Sequence, residues 1–428
     1  MFNNEQNFSL KEFFAPLTTK KAILIIAVLG FIVFGNALFN GFVLDDRFQI
    51  VNLSNRVSIQ KIPTFFFVRH AGYVSDVGYY RPIFFSFLTI MYSLFGLNSF
   101  FYHSFQLIIH IGNISLIFLL FKKFFTKGLS LFLSILFLAH PMNVEAVSYI
   151  SAVADPLAVF FGLLALHIMI KDKLHILSII IASGLMLLSL LTKEAGFPIL
   201  VIILSYCLFF KKKNILAISL FTCITLGLYF FLRLGVTHEF FQSDKFAPIT
   251  QISFSQRMMN VPKIIFFYIF TFFIPLKLRV AQYWIVEAIN LQDFLLPLMF
   301  DILFFIALIF LWVFLYKKNR KTLPSYLFFL CWFFIGLGLY LQFIALDMTV
   351  AERWFYLPMI GLLGLIGVIV HYLKLDSKKN YLILFLAVLV IIILSLRTMV
   401  RNADWFNGAT LNSHDGIDIA LNEYSTAS

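Results

Sequence analysis

Hydrophobic positions along this chain come in long blocks, not in the alternating or one-faced patterns of a soluble fold. Residues 22–39 form the first block, uncharged and preceded by Lys20 and Lys21. A helix needs about 20 such residues to cross the hydrocarbon of a bilayer. Comparable blocks fall at 100–121, 128–147, 156–170, 174–191, 197–210, 215–234, 294–315, 323–345, 357–372 and 381–396. Two apolar runs, 83–97 and 264–275, are short for a crossing. The pattern predicts an all-α integral membrane protein with about eleven spans.

Charge decides how the two short runs are read. If neither crosses, the segments on the N-terminal side of the membrane hold 17 Lys and 1 Arg against 4 acids, while the remainder holds 5 Lys and 10 Arg against 17 acids. That asymmetry obeys the positive-inside rule, and letting either run cross would move a lysine cluster outside. Both are therefore expected to be interfacial or re-entrant, within external loops at 40–99 and 236–293. An amphipathic stretch at 61–70 is expected to lie in the interface as a short helix. Residues 1–21 are then cytoplasmic, 22–400 the membrane domain, and 401–428 an external tail.

Composition agrees. The chain of 428 residues is 61% hydrophobic with 56 Phe and a mean hydropathy of +0.93, where soluble domains are about 45–50% apolar. A net charge of +12 spread between apolar segments forms no basic face, which excludes nucleic acid as a partner. Cys207, Cys223 and Cys331 all lie in apolar runs, so no external disulfide framework is expected. The first block is long, with no small-x-small cleavage site after it, and reads as a retained signal anchor.

Inside charge is nearly all lysine, as suits a topology signal. Outside charge is mostly arginine mixed with carboxylates near helix ends, and arginine binds phosphate or carboxylate through a fork. The polar chemistry is therefore expected on the outer face. Its clusters are Asp45-Asp46-Arg47, Tyr79-Tyr80-Arg81-Pro82, His140-Pro141 with Glu145, Asp155, Lys193-Glu194, Arg279 and Glu352-Arg353. Singly, each reads as a snorkelling or paired charge. Together they suggest one site, with a carboxylate as general base and cations holding a phosphate leaving group. His103 and His110 share a helix face about 10.5 Å apart along the axis, too far for one zinc ion with bonds of about 2.0–2.1 Å. They are expected to pack with Tyr102, Gln106 and Asn113 against neighbouring helices, and no metal site is indicated.

Several of these stretches, in order, resemble the membrane domain of the transmembrane and tetratricopeptide-repeat O-mannosyltransferases. They are Gly41-Phe42-Val43-Leu44-Asp45-Asp46, Tyr80-Arg81-Pro82, Tyr102-His103 with His110, and His140-Pro141 with Glu145-Ala146-Val147. Asp155-Pro156-Leu157, Leu191-Thr192-Lys193-Glu194-Ala195-Gly196, Ala351-Glu352-Arg353 with Tyr356-Leu357-Pro358, and Asp404-Trp405 continue the series. The resemblance implies a GT-C-like bundle and an inverting transfer of mannose or a related hexose from a polyprenyl-phosphate carrier. It places the catalytic acid at Asp45-Asp46, and donor or substrate contacts at Arg81, His140, Glu145, Asp155, Lys193, Glu194, Glu352, Arg353 and Tyr356. It implies a lipid-linked sugar donor in the membrane and an acceptor hydroxyl on an exported protein, a glycan or a lipid. The active face would be outside a prokaryotic inner membrane or in the lumen of the endoplasmic reticulum.

Two departures stand out. Ser151-Ala152-Val153-Ala154-Asp155 replaces the Gly-Arg-Ala-Asp-like stretch of that family, and no tetratricopeptide array follows Asp404-Trp405. Acceptor capture is expected to use another surface or a partner protein. Of two rival readings, a lipid-linked-sugar flippase would show inverted repeats and charges midway along broken helices. A non-catalytic scaffold would tolerate neutral residues at Asp45 and Arg353.

Overall fold

The computed structural model describes residues 17–52, 58–68, 80–171, 174–211, 214–237, 247–280, 282–373 and 381–415. Tyr79, Lys173, Lys212, Lys213, Lys374, Lys378, Lys379, the segment 1–16 and the tail from 416 lie outside them. Among the described residues the protein is all-α. One isolated antiparallel bridge, between Gln282 and Val350, is its β pairing there.

Each of the eleven apolar blocks forms a helix. Among the described residues, seven helices are long and apolar enough to cross a membrane: Thr19–Phe39, Ser99–Phe121, Ile150–Met169, Ile215–Thr237, Leu291–Lys318, Glu352–Tyr372 and Tyr381–Asp404. An eighth counts if Lys127–Ala139 and Pro141–Ser148, bent by 55° against each other, form one span. Pro82–Phe95, Ile176–Thr192, Gly196–Phe210 and Leu323–Gly338 are shorter apolar helices.

Four boundaries differ from the sequence pattern. The block 128–147 breaks at His140, because Pro141 has no backbone N–H to continue the ladder; His140 instead accepts the Met142 N–H (3.3 Å) and starts a new turn. The block 323–345 stops being helical after Gly338. Beyond it the chain winds about the amide of Gln342, which donates to Met348 O (2.8 Å) and Thr349 O (3.0 Å) and accepts from Leu346 N–H (3.1 Å). The run 264–275 is the C-terminal half of a longer helix, Phe254–Phe273, opened by a capping box between Ser253 and Gln256. The interfacial stretch at 61–70 is two short turns, Ile59–Lys61 and Thr64–Phe67, with His70 outside the described residues.

Packing separates a centre from a rim. The Ile150–Met169 and Glu352–Tyr372 windows are 72% and 78% buried, whereas those of Leu291–Lys318 and Tyr381–Asp404 are 11% and 6% buried and present apolar faces outward. At the centre, Leu323–Gly338 and Tyr356–Tyr372 touch backbone to backbone. A Cβ on Gly361 would lie 2.5 Å from Phe333 N, so this approach requires a residue without one, as is common between membrane helices.

The C-terminal ends of the first and last long helices are laced by asparagines. Asn36 donates to Met399 O (2.8 Å), Asn40 to Asn402 O (3.0 Å) and Asn402 to Val33 O (3.1 Å). These bonds fix the start of the loop after the first helix, just before Asp45, on the bundle.

The charge asymmetry generates a topology test. In a cysteine-free background, Lys123→Cys and Lys318→Cys should resist a membrane-impermeant maleimide in intact cells, while Ser58→Cys and Ser413→Cys should label. Labelling of the first pair would overturn the common outer face.

Candidate active site

The mouth of the first helix is built on a tight turn. Leu44 takes a left-handed φ of 50°, and Asp46 N–H and Arg47 N–H close on Val43 O (3.0 Å) and Leu44 O (3.2 Å). The turn gives the two neighbouring carboxylates opposite environments. Asp46 is fully buried (0% exposed). Its Oδ2 accepts from Val43 N–H (3.1 Å), and its Oδ1 accepts from both Ser151 N–H (2.8 Å) and Ser151 Oγ (2.5 Å). Burial pushes Asp46 up to about 7 against the pull of those bonds. Asp45 is exposed. Its backbone N–H donates to the Tyr149 hydroxyl (3.2 Å), whose ring stacks on Trp405 at 5.4 Å.

Beside this mouth, charged side chains from separate segments form one linked network. Glu145, fully buried after the bend, pairs with Arg353 and also accepts the Arg353 backbone N–H (2.9 Å). Arg353 Nε lies 3.9 Å from Asp155 Oδ2, which accepts from Lys193 Nζ at 2.6 Å. Next to Lys193, Glu194 Oε2 accepts from Arg81 Nε (3.0 Å) and Nη2 (2.8 Å), and its Oε1 accepts from Arg233 Nη1 (3.0 Å). Burial would raise Glu194, yet Arg81 and Arg233 outweigh it and hold the carboxyl at about 2. Burial lowers Lys193, opposed by Asp155. Tyr149 lies in the short segment between Glu145 and Asp155, which sets the network beside the mouth.

The local fold explains how Lys193 and Glu194 are presented. They occupy a three-residue connection between Ile176–Thr192 and Gly196–Phe210, closed by Gly196 N–H on Lys193 O (3.0 Å). A Cβ on Gly196 would stand 2.9 Å from Leu190 N. Only glycine lets the second helix begin there.

Asp45, Asp46, Arg81, Glu145, Asp155, Lys193, Glu194 and Arg353 thus gather in one region. Three other sequence candidates are engaged elsewhere. His140 uses both ring nitrogens on backbone, with Nε2 on Phe272 O (2.9 Å) and its ring stacked on Phe272 at 5.0 Å. Glu352 Oε1 accepts from Arg279 N–H (2.5 Å). The Tyr356 hydroxyl lies in the interior between His110 Nδ1 (2.7 Å) and Asn113 Nδ2 (3.1 Å), which accounts for the polar face of the Ser99–Phe121 helix. Among the described residues, no group of three or more His, Cys, Asp or Glu is placed to hold a metal ion.

Arg233, Tyr149 and Ser151 complete the region without having been singled out in the sequence. Arg233 had a signal, an arginine inside the apolar block 215–234, because an ionised group at membrane depth demands a partner. Ser151 opens the stretch that departs from the family pattern, noticed for the basic group it lacks and not for its hydroxyl, and Tyr149 had no signal.

No family model matches the chain, and no solved structure does at a significant level. A curated protein of Caenorhabditis elegans, named Protein O-mannosyl-transferase F38B6.6, is 25% identical over 423 residues, covering 91% of this chain. The chain spans 57% of that protein's length.

Two predictions follow from the geometry. Glu145→Gln leaves Arg353 buried without its counter-ion and should lower stability by about 3–5 kcal/mol. Removing both charges in Glu145→Gln/Arg353→Met should recover part of that loss, as thermal unfolding in detergent would read; a double variant worse than the single would contradict the pairing. The second concerns pH. Folding raises Asp46 from 3.8 to about 7, so the folded protein keeps a proton that the unfolded chain releases. The stabilisation from this group is complete below 3.8, is lost as pH rises towards about 7, and stays flat above. Asp46→Asn should remove that slope between pH 4 and 8, and an unchanged slope would assign it to another group.

Proposed function

We propose that this protein is a membrane glycosyltransferase that moves a hexose of the mannose class from a polyprenyl-phosphate carrier to an acceptor hydroxyl. The acceptor proposed is Ser or Thr of a protein on the outer or lumenal side. The observation that carries the reading is the exposed carboxylate of Asp45 at the mouth of the first helix, whose backbone bonds Tyr149 in the segment that carries Glu145 and Asp155, members of a network holding Arg81, Lys193 and Arg353. The likeness to a protein named as an O-mannosyl-transferase supports it.

In the proposed reaction Asp45 accepts the proton of the acceptor hydroxyl. The acceptor oxygen bonds to the anomeric carbon from the face opposite the phosphate, and the bond from that carbon to the phosphate oxygen breaks. The polyprenyl phosphate leaves with the bonding electrons, and the anomeric configuration inverts. Arg81, Lys193 and Arg353 would stabilise the charge that develops on the phosphate, in a setting where fixed donors act more strongly than in water. A carrier of lipid-linked sugars fits less well, since the linked charges stand at helix ends and connections, not midway along broken helices.

The test is sugar transfer from polyprenyl-phosphate mannose by purified protein. Asp45→Asn should lower turnover by about 10²–10⁴-fold, with thermal stability and donor binding retained. Full activity in that variant would overturn the base assignment. Failure of the wild type to consume any polyprenyl-phosphate hexose would overturn the transferase reading.

A further inference from the structure

Residues 149–151, at the junction of the bent helix with the first turn of Ile150–Met169, grip the turn at 43–46 in two places. Tyr149 Oη receives the Asp45 N–H at 3.2 Å. Ser151 donates twice to one oxygen of Asp46, through its backbone N–H at 2.8 Å and its Oγ at 2.5 Å. Val43 N–H holds the other oxygen at 3.1 Å. The Asp46 carboxylate is therefore fixed at both ends, and it sits at 0% exposure, where no substrate hydroxyl reaches it. Leu44, one residue before Asp45, has a left-handed φ of 50°, which an L-residue with a branched side chain holds only when its surroundings impose it. Asp45 lies between the strained residue and the clamped one. Its direction is set by both.

We infer that Ser151 is a positioning residue that, by clamping Asp46, aims the Asp45 carboxylate at the acceptor hydroxyl. The inference rests on the base role proposed for Asp45. It divides the acid pair: Asp45 touches the substrate, and Asp46 with Ser151 forms the bracket behind it. The hydroxyl is the part that matters, because any residue at 151 except proline would keep the backbone bond. A small rotation of the turn suffices for an effect, since misplacing a reacting group by about 1 Å can cost a hundredfold in rate.

A bracket and a general structural prop differ in how their effects combine with loss of Asp45. The experiment measures initial rates of hexose transfer from polyprenyl-phosphate mannose by the purified full chain, with Ser151→Ala in the wild-type and Asp45→Asn backgrounds. In the wild-type background, Ser151→Ala removes a hydrogen bond to a carboxylate, and kcat should fall by about tenfold with the donor KM little changed. Ser151→Thr, which keeps the hydroxyl, should restore most of it. In the Asp45→Asn background, Ser151→Ala should cause no further loss, because the group it aims is gone. Asp46→Asn keeps the side-chain shape and should follow the same pattern, which secures the test if Ser151→Ala folds poorly.

An equal loss in both backgrounds, or a change in KM alone, would overturn the inference. Wild-type kcat in Ser151→Ala beside a crippled Asp45→Asn would overturn it and leave the base assignment standing. Full activity in Asp45→Asn would overturn both.

Discussion

A carboxylate or guanidinium taken out of water must be met by an opposite charge with good hydrogen-bond geometry, and in this protein that requirement draws the helix ends together. Glu145 and Arg353 are 208 positions apart in sequence, and each lacks water to stabilise it alone. Their pairing requires the bend at His140 to swing Glu145 inward, and it brings the start of the Glu352–Tyr372 helix beside that of Ile150–Met169. Arg353 then shares Asp155 with Lys193, and Glu194 carries the connection on to Arg81 and Arg233. Such pairs add little net stability over apolar packing. Their effect is on register, since a slipped helix would strand a charge.

The same physics explains what could be read from sequence. Block hydrophobicity marked every helix long and apolar enough to cross a membrane, because apolar length is a local property, but only the C-terminal half of Phe254–Phe273, which opens on polar residues. Charge type picked out Arg81, Lys193, Glu194 and Arg353 as one set, and their ion pairs do bring them together. The break at His140-Pro141 was visible as polarity, though not as a bend. What local pattern could not give was the reach of individual side chains. Tyr356 shares a segment with Arg353 but faces His110 and Asn113, and His140 is taken up by backbone groups. Those outcomes depend on rotation about helix axes and on partners far away in the chain. The loop at 339–350 was hidden for a related reason: its residues are apolar enough to extend a helix, and only the Gln342 amide gives them another way to satisfy their backbone.

Adjacent residues in a sequence need not share a role. The turn at Leu44 sends Asp45 to solvent and Asp46 into a cavity of backbone donors, so the pair separates by environment and not by type. The exposed member can exchange a proton with a substrate; the buried one is committed to geometry. The left-handed residue before them is what makes two such different settings possible within a single peptide unit.

The three residues between Thr192 and Gly196 also constrain how this chain can vary in length. Each residue of an α-helix turns its axis by about 100° and advances it about 1.5 Å. An insertion or deletion within Lys193-Glu194-Ala195 would rotate the face that the Gly196–Phe210 helix presents to the bundle, or pull Lys193 from Asp155 and Glu194 from its two arginines. Neither change could be absorbed locally, because Gly196 already touches the backbone of Leu190. In chains of this architecture, changes of length should therefore spare this short connection, so that its spacing marks the architecture more durably than the identity of most residues around it.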